Sequence, residues 1–358
     1  MIGTNESPFS AIGFEQVHRD GQRMAVVAAR VRYKLTPGGR LTRDNTDALV
    51  LSDTYEHAPA NSPLLRVSDL VPFRPFADVT LIGQAHAPEG KEAAAWMIGL
   101  RVGDQPTVYR VTGPREWMAT SAGKTDGFVL SAPKSCKSIA IDYRQASGGR
   151  VIGDPAGSCD LRNPIGAGLV HRMYTSPAFR YVAPTIEDPE APVTDAFAQP
   201  EPVGFGPIPP SWQQRLQYAG TFDDGWLRRD HPRLPRDFRY QFYQVAHPRL
   251  IFRKYLPAGL RISAVNLARD HRQVDFRLPD EEPLARFQWV DGREVTARMN
   301  RDGLHIDMRT GPPWTVDVTF RVWIEICPRF QKVDLIHADS RGAGGLPASG
   351  EFGLEEAA

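Results

Sequence analysis

The stretch AAWMIGLRVGDQPTVYRVTG, residues 94–113, decides the fold class. Its halves, 94–102 and 107–113, read as two short strands. Between them Gly103-Asp104-Gln105-Pro106 couples a residue that takes positive φ freely to one whose φ is preset, which makes a hairpin turn. The same signature recurs on both sides. Residues 24–35, MAVVAARVRYKL, pass from an apolar run into alternation and stop at Thr36-Pro37-Gly38-Gly39. Segments 78–83 and 137–143 read as further strands, while Pro72 and Pro75 demote the residues before Asp78 to an edge or loop. Beyond residue 248, strands are predicted at 249–255, 260–267, 273–278, 285–290, 294–299, 304–308 and 314–326. Turn chemistry stands at Val290-Asp291-Gly292-Arg293 and at Asn300-Arg301-Asp302-Gly303. The chain holds 31 glycines and 31 prolines, a usage that suits many short strands joined by turns. The expected fold is all-β, mainly antiparallel and sandwich-like, because an alternating strand needs a facing sheet for its apolar side. Helices are expected to be short, and the middle of the chain long, proline-rich and irregular.

Five regions follow from this reading. Residues 1–182 form an N-terminal β region, and 183–203 a proline-rich connector expected to be mobile because it lacks any periodicity. Residues 204–247 form an irregular aromatic and basic segment, 248–337 a C-terminal β region, and 338–358 a flexible tail of small and polar residues. Within 204–247, Pro207, Pro209 and Pro210 forbid a helix before Ser211. Ser211 is the expected N-cap of a short helix over 211–219, with Trp212, Arg215, Leu216 and Ala219 on one face and Gly220 to end it. An irregular segment pinned by aromatic anchors is expected on a surface or in a cleft, where such segments carry function.

Charge and cysteine usage narrow the function classes. Lys plus Arg is 43 against 42 Asp plus Glu, so no global field draws the chain to nucleic acid or anionic lipid. Between Arg215 and Lys254 nine basic and four acidic residues are interleaved with aromatics. That mixture favours a protein-facing surface over a nucleic-acid groove. Three cysteines without CxxC spacing argue against a disulfide framework or structural zinc and for reduced thiols. No signal-peptide pattern opens the chain, and no run reaches the ~20 apolar residues of a spanning helix, so a cytoplasmic protein without membrane contact is expected.

Catalytic signatures are weak. Asp223, Asp224 and His231 are the most metal-like cluster, yet turn hydrogen bonding accounts for aspartates at those positions as well. Asp69, Asp78 and His86 are near one another in sequence but have no nucleophile elbow beside them. The glycines at 148–153 and 166–168 lack the strand-loop-helix context of a phosphate loop. We therefore expect no catalytic residue, no metal and no cofactor, and a partner-binding set of Trp212, Arg215, Trp226 and Arg228, residue types enriched in interface hot spots. The competing readings are a β-sandwich hydrolase acting on carbohydrate or cell-envelope material through Asp223, Asp224 and His231, and a carbohydrate-binding module stacking sugars on Trp212 and Trp226.

Eight motifs carry a resemblance. In order they are VSDLVPFRPFADVTLIGQAHAP (67–88), VTGPREW (111–117), IDYRQASGG (141–149), RNPIGAGL (162–169), GFGPIPPSW (204–212), AGTFDDGW (219–226), LPRDFRYQFYQVA (234–246) and VNLARDHRQVDFRLP (265–279). Over residues 24–329 the chain resembles the bacterial family called domain of unknown function 2169. The resemblance implies an adaptor or chaperone in type VI secretion, with a secretion effector and a spike-tip protein as partners. The 143–149 motif departs from the family pattern, which usually carries an acidic residue at the position of Arg144, a basic one at Gln145 and an aromatic at Ser147; aspartate is common at Pro114. A hydrolytic site built on those positions would be lost here, whereas binding by shape would survive.

Overall fold

The strand Arg23–Leu35 lies inside the largest sheet, one place in from its edge, and has two unlike faces. Ala25, Val27, Ala29, Val31, Tyr33 and Leu35 enter the main apolar core. Arg30 and Arg32, of the opposite parity, face away from it and are nonetheless largely covered. The computed structural model describes residues 2–119, 127–176, 178–326 and 329–337. The expected tail at 338–358 and Cys327 lie outside the described residues.

Seven strands make the large sheet. Its order is Ile251–Phe252, Ala77–Ile82, Asn300–Asp307, Trp314–Glu325, Arg23–Leu35 and Ser10–Val17, with Leu41–Asp44 also paired to Arg23–Leu35. One contact, Ala77–Ile82 with Asn300–Asp307, is parallel; the others are antiparallel. A five-stranded antiparallel sheet runs Ile186–Glu187, Gln105–Thr112, Ala95–Val102, Arg261–Val265, Gln273–Arg277. A four-stranded sheet runs Ile2–Asn5, Phe330–His337, Pro283–Trp289, Glu294–Arg298. Their inner faces meet in one core that includes Val79, Leu81, Ile98, Leu100, Tyr109, Phe287, Val318 and Val333. Each such side chain contributes ~1.5–3 kcal/mol by leaving water. The fold is thus all-β, mainly antiparallel and layered, as the alternation predicts.

The 94–113 hairpin forms with a tighter turn than expected. Gln105 already pairs with Val102, leaving Gly103 and Asp104 as the turn, with Gly103 at φ +58. The 36–39 turn depends on Gly39, at φ +80, where a Cβ would lie 1.9 Å from the Asp275 carbonyl oxygen. The expected turn at 300–303 is a correction: these residues lie inside the strand Asn300–Asp307, with a register shift at Arg301/Gly303. Asp302 is buried in contact with Arg321, and Gly303 lets Thr319 and Arg74 close over the backbone, so turn-type residues here serve a bulge.

The regional division also needs correcting. The boundaries at 182/183, 203/204 and 247/248 do not separate domains, because each of the three large sheets takes strands from both sides of them. The 183–203 segment is woven in: Ile186 and Glu187 pair with Val111 and Arg110, and Ala183, Val193, Ala196 and Val203 are buried. Strands at Ile2–Asn5, Ser10–Val17 and Phe330–His337 gave no clear alternation and escaped the sequence reading.

Candidate functional site

The face of the seven-stranded sheet opposite the core is polar and covered. Across four adjacent strands, Arg32, Asp317, His305 and Thr80 stand in register, and beside them Arg30, Thr319, Gly303 and Asp78. Between these rows, on the other face, lie Val31, Val318, Leu304 and Val79. The polar rows are closed by ion pairs. Arg30 donates twice to Asp69, at 2.9 and 2.7 Å, and Arg32 twice to Asp317, at 2.7 and 2.9 Å. These neighbours hold the Asp317 carboxyl below its ordinary range against the opposing effect of burial.

The irregular middle of the chain is the lid over this face. Asp78 accepts from Gln244 Nε2 at 2.7 Å and from the Val245 N–H at 2.9 Å. The Leu81 N–H donates to the Phe205 carbonyl and the Ile208 N–H to the Val245 carbonyl, both at 2.7 Å. Residues 202–209 are buried throughout, which corrects the expectation that a proline-rich segment runs on the surface. Prolines fit because they bring no N–H that a covered strap would leave unpaired. Asp69, Asp78 and His86 therefore form no constellation: the aspartates hold the polar face together, and His86 is half-buried elsewhere, its backbone N–H on the Asn266 carbonyl.

The four residues expected to contact a partner divide into two pairs. Trp212 is 3% exposed and packs edge-on against Tyr143 at 5.2 Å, and Arg215 is 5% exposed. Neither offers a surface to a partner, a correction whose cause is local. The helix is one turn, Gln213–Leu216 (α1), with Trp212 in place of Ser211 at the N-cap position and no side-chain hydrogen bond capping it. Arg215 takes the inward position because its guanidinium donates to the carbonyls of Phe242 and Ile208, each at 2.9 Å, and lies over the Phe242 ring at 5.2 Å. Burial, aided by the Arg74 charge, pulls its pKa down to about 10. Leu216, expected on the same face as Trp212 and Arg215, points out at 55% exposure.

Trp226 and Arg228 lie on a second short helix, Asp224–Arg229 (α2). Asp223 caps it, accepting from the Trp226 N–H at 2.7 Å, so this aspartate has a structural task. Asp224 is exposed in the first turn, and His231 is exposed with its ring edge-on to Trp226 at 5.3 Å. Among the described residues no group of three or more His, Cys, Asp or Glu is placed to hold a metal ion. Trp226 is half-buried, its Nε1 donating to the Arg233 carbonyl at 2.9 Å and its ring meeting Phe222 at 4.8 Å.

What α1, α2 and their connection expose is apolar side chains among charges of both signs, Asp223 and Asp224 included. Phe222 is 56% and Leu227 59% exposed, and Arg228, Arg229, Arg233 and Arg239 are exposed around them. Beneath, Phe238, Tyr240, Phe242 and Tyr243 interlock and reach Phe73, fixing the segment to the body. The sequence reading missed Leu216, Phe222 and Leu227, because helical period marks a face without saying which way a one-turn helix points it.

The departures from the family pattern at 143–149 are also placed. Arg144 donates to Asp142 at 2.7 Å and pairs with Glu56 at 2.6 Å, and Gln145 accepts from the Thr185 hydroxyl at 2.7 Å. Arg144 and Gln145 thus each have a side-chain partner. No curated protein and no solved structure matches the chain. Residues 20–321 match the family described as an uncharacterized protein conserved in bacteria. With most of its length matched, the chain belongs to that family, DUF2169.

Proposed function

We propose that this protein is a non-enzymatic cytoplasmic adaptor or chaperone that binds a type VI secretion effector and helps load it onto the spike complex. The family resemblance motivates the partners. The observation that carries a binding role is the exposed set Leu216, Phe222 and Leu227 beside Arg228, presented on a segment whose underside is locked by Trp212 and Arg215. Apolar side chains held out on an ordered backbone, with guanidinium groups beside them, bind at low ordering cost. The carbohydrate-module reading loses one of its two platforms, since Trp212 has no free ring face. The hydrolase reading loses Asp223 to the cap.

The test is co-expression with candidate type VI effector and spike-tip proteins. A Phe222→Ser, Leu227→Ser, Arg228→Ala triple variant is expected to keep its unfolding transition and to lose capture of one of them at least tenfold, the size of a hot-spot loss. Wild-type capture of both by the folded variant would place the interface elsewhere.

A further inference from the structure

Beneath the strap, the polar face holds a cavity of about 30 Å³, partly open on the side of Arg66, lined by Arg30, Arg66, Arg74, Asp78, His305 and Asp317 among others. Most of these groups are already engaged. Arg30 is held bidentately by Asp69, Asp317 by Arg32, and Asp78 by Gln244 and the Val245 N–H. Two guanidinium groups are left over. Arg74, 4% exposed, reaches Asp78 only at 3.6 Å, and its buried Nε has no hydrogen-bond partner. Arg66 reaches Asp317 only at 3.6 Å. His305 meets the Thr80 hydroxyl through Nδ1 at 2.9 Å, and its buried Nε2 has no partner. In the tautomer where Thr80 donates to Nδ1, the neutral ring carries its proton on Nε2 and presents a third donor.

Charge points the same way. Three arginines against two aspartates on the lining leave one positive charge, because burial keeps His305 neutral, its pKa pulled down to about 4. Just outside the lining, the charges of Arg32 and Arg321 are matched in number by those of Asp69, which binds Arg30, and Asp302, which binds Arg321. Arg215 adds to the positive potential, since the Arg74 charge works against its protonation. An uncompensated charge in such surroundings costs several kcal/mol. A water molecule accepts hydrogen bonds but does not cancel charge.

We propose that this cavity binds one small monovalent anion of halide size, held by Arg66 and Arg74 with the His305 ring in its wall. Size selects the class: about 30 Å³ admits about one or two water-sized species and leaves no room for the four oxygens of sulfate or phosphate. The anion would join the segment carrying Arg66 and Arg74 to the strands carrying Thr80 and His305, so the order of the strap over the polar face becomes anion-dependent.

Bromide is the probe. In crystals of the full chain soaked in sodium bromide, an anomalous peak is expected between Arg66, Arg74 and His305. In solution, chloride or bromide is expected to raise the unfolding temperature saturably, by roughly a few degrees, where sodium sulfate at equal ionic strength does not. Arg74→Met is expected to abolish both signals. Should that variant fail to fold, Arg66→Gln, at a side chain only partly covered, is expected to weaken halide stabilisation at least fivefold in concentration. Electron density for water alone without an anomalous peak, or equal stabilisation by sulfate, overturns the assignment.

Discussion

A buried arginine needs an acceptor wherever its guanidinium ends, and Arg215 finds carbonyls where a carboxylate would be the commoner partner. That choice ties α1 to both ends of the irregular segment, at Ile208 and Phe242, and explains why a residue that reads as an interface arginine is internal. His247 shows the same economy: its Nδ1 accepts from the Arg249 N–H at 3.2 Å and faces the Tyr109 hydroxyl at 3.3 Å. Burial, with the Arg249 charge adding to it, pulls its pKa down to about 4. Between the unfolded value near 6.5 and the folded value the unfolded chain binds the proton and the folded one does not. Stability contributed by the neutral ring is therefore complete above about pH 6.5 and falls as pH drops to about 4, by on the order of 3 kcal/mol. Asp78, whose pKa burial raises, works in the opposite sense, so the comparison must be with a His247→Asn variant. Urea unfolding at pH 7 and pH 4.5 should show the wild type losing more stability than the variant; equal losses would remove His247 from the acid response. Sequence could not reveal this ring, since a histidine before a proline looks like a turn residue until its burial is known.

At the scale of elements, alternation made the hairpins legible because period two reports directly which side chains leave water. It failed where a strand is covered on both faces by different chemistry. In Arg23–Leu35 the outward arginines look solvated, and only the register Arg32 to Asp317 to His305 to Thr80 shows a second buried layer. The strap over that layer was illegible for a related reason: prolines mark where regular structure ends, not whether the chain is exposed. Asp78 is its main fastening, holding Gln244 Nε2 and the Val245 N–H. An Asp78→Ala variant leaves those donors without an acceptor and should cost ~1–3 kcal/mol for the unsatisfied groups. The loss should be local first. Hydrogen exchange at Ile208 and Val245 is expected to speed up well before that at Val318 or Val31 in the sheet. Uniform acceleration across all four amides would mean that the strap is not a separable cover.

The whole molecule is an interleaved fold in which sequence order and spatial order diverge. Composition and alternation predicted the class, but a reader of one chain has no means of seeing that strand 23–35 waits nearly three hundred residues for its partner at 314–325. From Trp314 opposite Leu35 to Glu325 opposite Met24, that ladder joins an early strand to a late one, and Ala95–Val102 with Arg261–Val265 bridges the two halves of the chain in the second sheet. The 183–203 segment, which reads as a connector, contributes an edge strand and a buried Glu187 paired with Arg115 at 3.1 Å. Cutting there should not yield two domains. A fragment of residues 1–182 would bare the edge of Arg23–Leu35 that now meets Trp314–Glu325 and the edge of Ala95–Val102 that now meets Arg261–Val265, leaving both open to aggregation. Expressed alone, fragments 1–182 and 204–358 are each expected to be insoluble or to lack dispersed amide resonances, and the intact chain to unfold in one transition seen alike by fluorescence and circular dichroism. A soluble 1–182 fragment with its own cooperative transition would show that the N-terminal strands carry an independent core, and would make the shared sheets a docking of two domains in place of one fold.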